Sequence, residues 1–288
     1  MPKIRKGVIT AAGKGTRFLP AVKTMPKEML PIVDKPIIQY IVEEMVEAGI
    51  EDIIVVTSWD KRSLEDHFDY SFELEEHLRK QDKHEKLEEV RKISEMANFI
   101  YVRQKGPYGN GTPCLNVRNL IGNEPFVYAY GDDLVKSRTS FTKQLIDRYT
   151  KEKGGIVMGC QKMPPDQLHK YGVVDFKETT GEVEGIVEKP DEGQEPSNLV
   201  AFGRYILEPE ITEILAKQKL GKGNELWLVD AIHTYINNGG KSYAEPIKNG
   251  FWYTTGDPLS YLKAVLEYAL SRDDINGDLK EYIRDLRI

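Results

Sequence analysis

Cysteine and histidine are scarce in this sequence of 288 residues. Its two cysteines, Cys114 and Cys160, stand far apart, and its five histidines form neither an H-x-x-x-H nor an H-E-x-x-H pattern. The sequence therefore offers no C-x-x-C redox motif and no zinc site with the usual ligand spacing. Because free cysteines are commonly buried, we expect both thiols to lie in the core.

Long apolar runs and an excess of basic residues are missing as well. No stretch approaches the run of about 18 apolar residues that indicates a membrane span, and the N-terminus at Met1 and Pro2 lacks the apolar core of a signal peptide. The 40 Lys and Arg against 46 Asp and Glu give a net charge of −6, which excludes a nucleic-acid binder that acts through bulk positive charge. We expect a cytoplasmic protein that binds neither nucleic acid nor membrane.

The first half of the chain alternates short β-branched or aromatic runs with helical patterns. Its predicted strands are residues 7–10, 52–57, 99–103 and 126–130, and its first predicted helix is residues 36–48. This rhythm is typical of βαβ units around a mostly parallel sheet. The charged segment 63–97 repeats apolar residues at helical spacing with a polar break at 81–86, which predicts two inserted helices.

The second half has a different pattern. Its predicted strands are residues 155–161, 172–176, 185–188, 199–207 and 242–253, with a helix over 226–237. A turn-like sequence at 179–181 separates two of these strands and indicates an antiparallel excursion. Two helices are expected after Pro258, the second from about Gly277. Since no repeat or Ser/Gly linker interrupts the chain, we predict one compact α/β unit over residues 1–288.

The loop after the first strand is rich in glycine and positive charge. Gly13 and Gly15 allow the backbone to approach a phosphate group closely, although the loop matches neither the Walker A pattern nor the dinucleotide fingerprint. Arg17, Lys23 and Lys27 follow, and the intervening prolines prevent a long regular helix. An extended loop with fixed positive charge suits a nucleoside triphosphate, and we name residues 11–30 the phosphate loop after this expected ligand.

A pair of carboxylates directly follows the predicted strand 126–130. Asp132 and Asp133 thus stand at the carboxyl end of a strand, where α/β sheets usually bind ligands. Carboxylate oxygens suit Mg²⁺, but an Asp pair also caps turns, and the spacing alone leaves both possibilities open.

These motifs together resemble the signature of sugar-1-phosphate nucleotidylyltransferases, most closely the bacterial UTP–glucose-1-phosphate uridylyltransferases. The first matches are Gly13-x-Gly15-Thr16-Arg17, Pro26-Lys27-Glu28-x-Leu30-Pro31 and Gly131-Asp132-Asp133. Further matches are His67-Phe68-Asp69-x-Ser71, Arg103-Gln104, Tyr171-Gly172-Val173-Val174, Glu188-Lys189-Pro190, Gly203-Arg204-Tyr205 and Asp230-Ala231-Ile232. The resemblance covers nearly the whole chain in order, and the combination is specific although each piece alone is not.

The resemblance implies both a fold and a reaction. The fold is a Rossmann-like mixed, mostly parallel sheet flanked by helices, of the nucleotide-diphospho-sugar transferase type. A nucleotide-binding half is expected at about 1–135, a sugar-binding half at about 136–257 and C-terminal helices at about 258–288. The reaction is a Mg²⁺-assisted in-line displacement in which glucose 1-phosphate attacks UTP and gives UDP-glucose and pyrophosphate. The resemblance also favours a homo-oligomer.

The resemblance assigns roles to particular residues. The expected catalytic residues, which surround the reacting phosphorus, are Arg17, Lys27, Asp132 and Lys189. Among them Asp132 is the expected metal ligand, and the neighbouring Asp133 supports it. The expected substrate-binding residues are Ala12, Gly13, Gly15, Thr16, Glu28, Gln104, Gly109, Asp133, Gly172 and Glu188. Among them, the Gln104 amide suits a pyrimidine edge, and Gly172 and Glu188 are placed at the sugar.

Two places depart from the family pattern. Thr254 stands where relatives usually carry an Asp that helps to hold the metal, and a neutral hydroxyl is a poorer Mg²⁺ ligand. Asp257 lies three residues further on and is expected to cap the helix that begins at Pro258. The second departure is Thr112-Pro113, where relatives commonly carry His-Ala; a proline in the first helical turn is well tolerated.

Three functions remain open at this point. The leading one is an active uridylyltransferase that makes UDP-glucose. The second is a thymidylyltransferase or a nucleotidylyltransferase with another sugar specificity. The Pro26-Lys27-Glu28 tract and the helical insertion near Ser71 favour the uridylyl branch over it. The third is a catalytically weakened paralogue that binds nucleotide or nucleotide sugar, and only Thr254 motivates it.

Overall fold

The computed structural model describes residues 3–286 of the chain. Residues 1, 2, 287 and 288 lie outside the described residues. The expectation about the N-terminus at Met1 and Pro2 and the outer limits of the predicted unit 1–288 therefore also lie outside them. Among the helices of residues 3–286, none combines the length and the apolar character that crossing a membrane requires.

Most strands belong to one large sheet, and four form two small ribbons. In chain order the strands are β1 (Lys6–Thr10), β2 (Pro31–Ile32), β3 (Lys35–Pro36), β4 (Asp52–Thr57), β5 (Asn98–Arg103), β6 (Phe126–Tyr130), β7 (Asp133–Ser137), β8 (Ile156–Lys162), β9 (Gly172–Phe176), β10 (Val183–Glu188), β11 (Leu199–Leu207), β12 (Ser242–Pro246) and β13 (Gly250–Thr254). The ribbons are β2 with β3 and β7 with β13, both antiparallel.

Helices cover both faces of the large sheet. They are α1 (Ile37–Glu47), α2 (Ser63–Phe68), α3 (Phe72–Lys80), α4 (His84–Glu95), α5 (Thr112–Asn116), α6 (Arg118–Ile121), α7 (Phe141–Glu152), α8 (Glu210–Lys217), α9 (Leu228–Asn237), α10 (Pro258–Ala269) and α11 (Asn276–Asp285). The cluster on one face includes buried residues of α1, α7 and α10, and the cluster on the other includes those of α5, α8 and α9. The predicted mixed, mostly parallel sheet flanked by helices is confirmed.

Helix α1 illustrates how the sequence pattern sets the packing. Ile37, Ile38, Ile41 and Met45 recur at helical spacing and are fully buried. Burying each such side chain contributes about 1.5–3 kcal/mol to folding. The helix ends just before Gly49, whose φ of 91° is unfavourable for other residues. This amphipathic helix therefore closes one face of the parallel strands.

The site lies where the large sheet changes direction. Strands β6, β1, β4 and β5 are parallel neighbours in that order, and β11 runs antiparallel to β6. The same edge of β11 pairs with β6 through residues 204–207 and with β9 through residues 200–201. The carboxyl end of β6 and the start of β9 therefore face a common cleft, and β10 extends the sheet beyond β9.

Two predicted elements are wrong in detail. The predicted strand 242–253 is two strands in different sheets: β12 runs parallel to β8 in the large sheet, and β13 pairs with β7. The chain turns between them at Asn249, which has a φ of 54°. The charged insertion contains three helices instead of two, because the extended residue Asp69 ends α2 before α3 begins.

Several local predictions are confirmed. The Asp257 side chain caps α10 by accepting from the Ser260 N–H at 3.0 Å, and Pro113 lies in the first turn of α5. Cys114 and Cys160 are fully buried, as expected for core thiols. The two helix-start features depend on neighbouring residues in the sequence, which is why the sequence reveals them.

Candidate active site

The loop after β1 is folded by its glycines and prolines into three short 3-10 turns, Thr16–Phe18, Ala21–Lys23 and Lys27–Met29. Gly15 precedes the first turn with a φ of 64°, and a Cβ there would lie 3.3 Å from the Cβ of Lys27. The absence of a side chain at Gly15 thus lets the start of the loop pack on Lys27. Thr16 is exposed where the first turn begins.

The Lys27 ammonium forms an ion pair across the cleft with the Oδ2 atom of Asp132. Both side chains are largely but not completely buried, with exposed fractions of 18% and 23%. Burial opposes the charged form of Lys27, but the charges of Asp132 and Glu28 outweigh it and raise the pKa of Lys27. The phosphate loop and the end of β6 therefore meet at a lysine that stays charged.

Arg17 and Thr254 approach the same point from two other elements. A Cβ at Gly256 would lie 3.3 Å from Asp132 Oδ2, 3.4 Å from Thr254 Oγ1 and 3.6 Å from Arg17 Nη1. Thr255 fixes the backbone of this region, because its N–H and its hydroxyl both donate to the Asp132 carbonyl, at 2.7 and 2.9 Å. The structure thus brings two cations and a carboxylate to one place, with the Thr254 hydroxyl beside them.

A cavity of about 270 Å³ adjoins the phosphate loop. Its lining includes four of the predicted substrate-binding residues, Ala12, Gly13, Gln104 and Gly109. The backbone N–H of Gln104 donates to the Thr57 carbonyl at 2.9 Å, which fixes this residue beyond the end of β5. Gly109 has a φ of 121°, and a Cβ there would collide with the Leu226 carbonyl at 2.2 Å. The cavity therefore has a fixed wall of backbone and amide groups.

Asn110 is a residue of this cavity that the sequence did not single out. Its side-chain carbonyl accepts from the Leu228 N–H at 2.8 Å, and its amide donates to the Tyr130 hydroxyl at 2.8 Å. Asn110 therefore ties the loop of residues 106–111 to the first turn of α9 and to the end of β6. In the sequence, Asn110 is marked only by its position between two glycines. This position does not reveal that its partners are Tyr130 and Leu228, which are distant in the sequence.

The predicted sugar-side residues lie together at the pairing of β9 and β10. Gly172 is directly opposite Glu188 in this pairing, and a Cβ at Gly172 would lie 3.1 Å from Glu188 Oε2. Lys189 follows with a φ of 48°, its N–H donating to the Tyr171 carbonyl at 3.0 Å. Its ammonium lies 3.8 Å from Glu188 Oε1 and 5.7 Å from the centre of the Trp227 ring.

Asp133 occupies a supporting position and does not face the cleft. Its carboxylate is buried and accepts from the Gly203 N–H at 2.8 Å and from the Trp252 indole N–H at 2.9 Å. Burial and the neighbouring charge of Asp132 raise the pKa of Asp133, while these two donors oppose the rise. Asp133 thus joins the turn that carries Asp132 to β11 and β13, which agrees with the supporting role expected for it and not with a direct substrate contact.

Glu28 requires a second correction. Only 1% of this residue is exposed, and its Oε1 and Oε2 atoms accept from the Lys61 ammonium at 3.0 and 2.8 Å. A side chain so enclosed cannot contact a substrate in the cleft. Its partner Lys61, in the segment between β4 and α2, was not identified from the sequence, where a lysine in a charged stretch gives no sign of burial.

The chain is similar over nearly its full length to proteins of a known family. Residues 6–271 match the family model described as nucleotidyl transferase, and the chain belongs to this family. It is 47% identical over 289 residues to the UTP–glucose-1-phosphate uridylyltransferase of Bacillus subtilis, covering 99% of this chain and 98% of that protein. The corresponding enzyme of Staphylococcus epidermidis is 49% identical over 291 residues, with full coverage of both chains.

A solved structure shows the same similarity in three dimensions. The UTP-bound UGPase from Acinetobacter baumannii is 36% identical and superposes with a TM-score of 0.90. The match covers 99% of this chain and 100% of that chain. The large sheet, its helices and the cleft therefore belong to a fold that this family shares over its full length.

Proposed function

We propose that this protein transfers a uridylyl group from UTP to glucose 1-phosphate and releases UDP-glucose and pyrophosphate. The observation that carries the proposal is the convergence of Arg17, Lys27 and Asp132 at one point of the cleft. The full-length similarity to two uridylyltransferases supports the same substrates. The cleft between β6 and β9 then accepts the nucleotide on one side and the sugar phosphate at Gly172 and Glu188 on the other.

The residues around Asp132 fit a hard divalent cation such as Mg²⁺. Within residues 3–286, no three His, Cys, Asp or Glu side chains gather as a complete metal cage. Mg²⁺ is usually held by one or two carboxylates and by substrate phosphates, and the Asp132 carboxylate with the Thr254 hydroxyl provides a partial oxygen site of this kind. When bound, the ion would neutralise charge on the phosphates during the reaction.

The chemical step is a direct displacement at phosphorus. A phosphate oxygen of glucose 1-phosphate forms a bond to the α-phosphorus of UTP, and the bond from that phosphorus to the oxygen shared with the β-phosphate breaks. Pyrophosphate leaves with the bonding electrons, so the protein needs no nucleophile. Arg17 and Lys27 hold the triphosphate, and Lys189 holds the sugar phosphate, so that positioning and charge stabilisation account for catalysis.

Base recognition follows from the cavity next to the phosphate loop. The Gln104 amide can both donate to and accept from a pyrimidine edge, and backbone groups at Ala12 and Gly13 complete the contact. These groups do not by themselves distinguish uracil from thymine. The preference for UTP rests on the high identity to uridylyltransferases.

We also propose a cytoplasmic location and a homo-oligomer. The highly charged substrates UTP and glucose 1-phosphate are made and used inside cells. Helix α10 exposes Leu259, Leu262 and Leu266 along one side, with exposed fractions of 63%, 62% and 42%. Large apolar side chains gathered on one helix face are typical of a surface that another subunit covers.

A pyrophosphate-release assay tests the proposed function. We expect the highest kcat/KM with UTP and glucose 1-phosphate in the presence of Mg²⁺, and a loss of activity when EDTA removes the metal. Faster turnover with dTTP would instead assign the protein to the thymidylyl branch. Binding of UTP without turnover of any sugar 1-phosphate would identify a weakened paralogue.

A further inference from the structure

Lys61 and Glu28 form a buried ion pair beneath the phosphate loop. The exposed fractions of the two side chains are 5% and 1%, and the Lys61 ammonium contacts both carboxylate oxygens. Burial raises the pKa of Glu28 and lowers the pKa of Lys61, so each group depends on the other for its charge. Taking two charges out of water is expensive, and a hydrophobic pair of similar size is often as stable. Stability alone therefore does not explain why this pair is here.

The neighbourhood of the pair suggests a role in the reaction. Glu28 directly follows Lys27 in the chain, and the two are close enough for the Glu28 charge to act on the Lys27 ammonium. Lys27 therefore lies between two carboxylates, Glu28 below the loop and Asp132 across the cleft. Lys61 already occupies both oxygens of Glu28, which leaves Asp132 as the hydrogen-bonded partner of Lys27.

The same pair supports the turn that carries Asp132. A Cβ at Gly131 would lie 3.1 Å from the Glu28 Cγ and 2.6 Å from the Thr10 carbonyl, so the turn after β6 rests directly on these groups. The Gly131 N–H donates to the same Thr10 carbonyl at 3.0 Å. A shift of the Glu28 side chain would therefore move both partners of the Lys27–Asp132 pair.

We propose that Lys61 is a positioning residue for the reaction, which keeps the Lys27 ammonium on the cleft side of the loop by occupying the Glu28 carboxylate. This inference rests on the proposed function, because it assumes that Lys27 acts on the triphosphate. Lys61 itself touches neither the cleft nor the substrate. Without it, the buried Glu28 carboxylate takes Lys27 as its partner and withdraws the ammonium from Asp132.

Three variants test this inference: Lys61→Met, Glu28→Gln and the double variant. In Lys61→Met, kcat for uridylyl transfer should fall about tenfold to a hundredfold, since misplacement of a catalytic group by about 1 Å can cost this much. Glu28→Gln leaves no carboxylate to compete for Lys27 and should lose much less turnover. The double variant should regain most of the turnover lost in Lys61→Met, because the competing charge is gone.

A matched control separates positioning from general destabilisation. Leu145→Ala removes a fully buried side chain from α7 and should lower Tm while leaving kcat near the wild-type value. A purely structural role for Lys61 predicts instead that turnover follows Tm across all variants. Loss of kcat in Glu28→Gln equal to that in Lys61→Met, or no recovery in the double variant, would overturn the inference. If Lys61→Met does not fold, the Glu28→Gln variant alone tests the inference. A loss of kcat in Glu28→Gln equal to that in Lys27→Met would then contradict it.

A crystal structure of Lys61→Met gives a readout independent of activity. The Lys27 ammonium should then contact Glu28 and no longer Asp132, whereas an unmoved Lys27 would refute the mechanism. The outcome is also distinct from a failure of the proposed function. If the proposed function is wrong, the wild-type protein turns over no sugar 1-phosphate, while the position of Lys27 in the variant still shows whether Lys61 keeps its ammonium at Asp132.

Discussion

Thr254 offers the sharpest test of the proposed metal site, because it stands where the resemblance leads us to expect a carboxylate. Thr254 pairs with Asp133 across the β7–β13 ribbon, and its hydroxyl and the Asp132 carboxylate both lie within 3.4 Å of where a Gly256 Cβ would be. In Thr254→Asp, the new carboxylate would lie close to that of Asp132. The variant should therefore bind Mg²⁺ more tightly and be less stable without it.

The size of the effect follows from the geometry. Two unit charges about 6 Å apart repel by about 3 kcal/mol at an effective dielectric constant of about 20. Asp132 is 23% exposed and already paired with Lys27, so solvent and this lysine reduce the repulsion to about 1–2 kcal/mol. A bound divalent ion attracts both carboxylates, so the added charge then stabilises the complex. An additional attraction of about 1.4 kcal/mol corresponds to a tenfold lower half-saturating Mg²⁺ concentration.

Two measurements check this prediction. Thermal unfolding of Thr254→Asp in EDTA should give a lower Tm than the wild type, and Mg²⁺ titration of the nucleotide-free protein should show the tighter binding. With UTP bound the gain should be smaller, since phosphate oxygens already supply anionic ligands. Thr254→Asn is the neutral control. Equal changes in the Asp and Asn variants, or no change in either, would show that residue 254 does not act on the metal.

Three further predictions concern the other site residues. Asp132→Asn should keep the fold and lower turnover about a hundredfold or more, and near-normal initial rates would remove Asp132 from the metal site. Arg17→Ala should raise KM for UTP, and Lys189→Ala should raise KM for glucose 1-phosphate, in kinetics with each substrate varied in turn. If both variants raised only KM for UTP, this assignment would be wrong. Partial burial raises the pKa of Glu188, so protonation on acidification should weaken glucose 1-phosphate binding at a higher pH than for an exposed carboxylate. Glu188→Gln should lack this step in the pH profile of kcat/KM, and an unchanged profile would exclude Glu188 as its source.

The fold was predictable where short-range patterns determine it. The parallel strands β1, β4, β5 and β6 are apolar runs between helical patterns, and the structure places them within about one residue of the predicted limits. The break between β12 and β13 was not predictable in this way. Residues 242–253 form a nearly continuous strand-like sequence, and what separates the strands is pairing with β8 and β7, which lie about a hundred residues away.

The site was predictable where a residue's chemistry is exposed to the cleft. Gln104 lines a cavity, and Gly172 and Glu188 are opposite each other in the pairing of β9 and β10, while their contact with a substrate stays a prediction. Glu28 and Asp133 belong to the same motifs but turn away from the cleft. Whether a carboxylate faces a ligand or a buried donor depends on partners such as Trp252 that are distant in the sequence, so motif membership does not settle it.

The two buried carboxylates explain how one cleft is assembled from separate parts of the chain. Glu28 joins the phosphate loop to the β4–α2 segment through Lys61, and Asp133 joins the turn after β6 to β13 through Trp252 and to β11 through Gly203. Each bond crosses from one element to another near Lys27 or Asp132. Because a buried charge pair is often no more stable than an apolar pair of similar size, whereas misplacing a catalytic group by about 1 Å can cost about a hundredfold in rate, we interpret these buried groups as supports of the proposed reacting geometry.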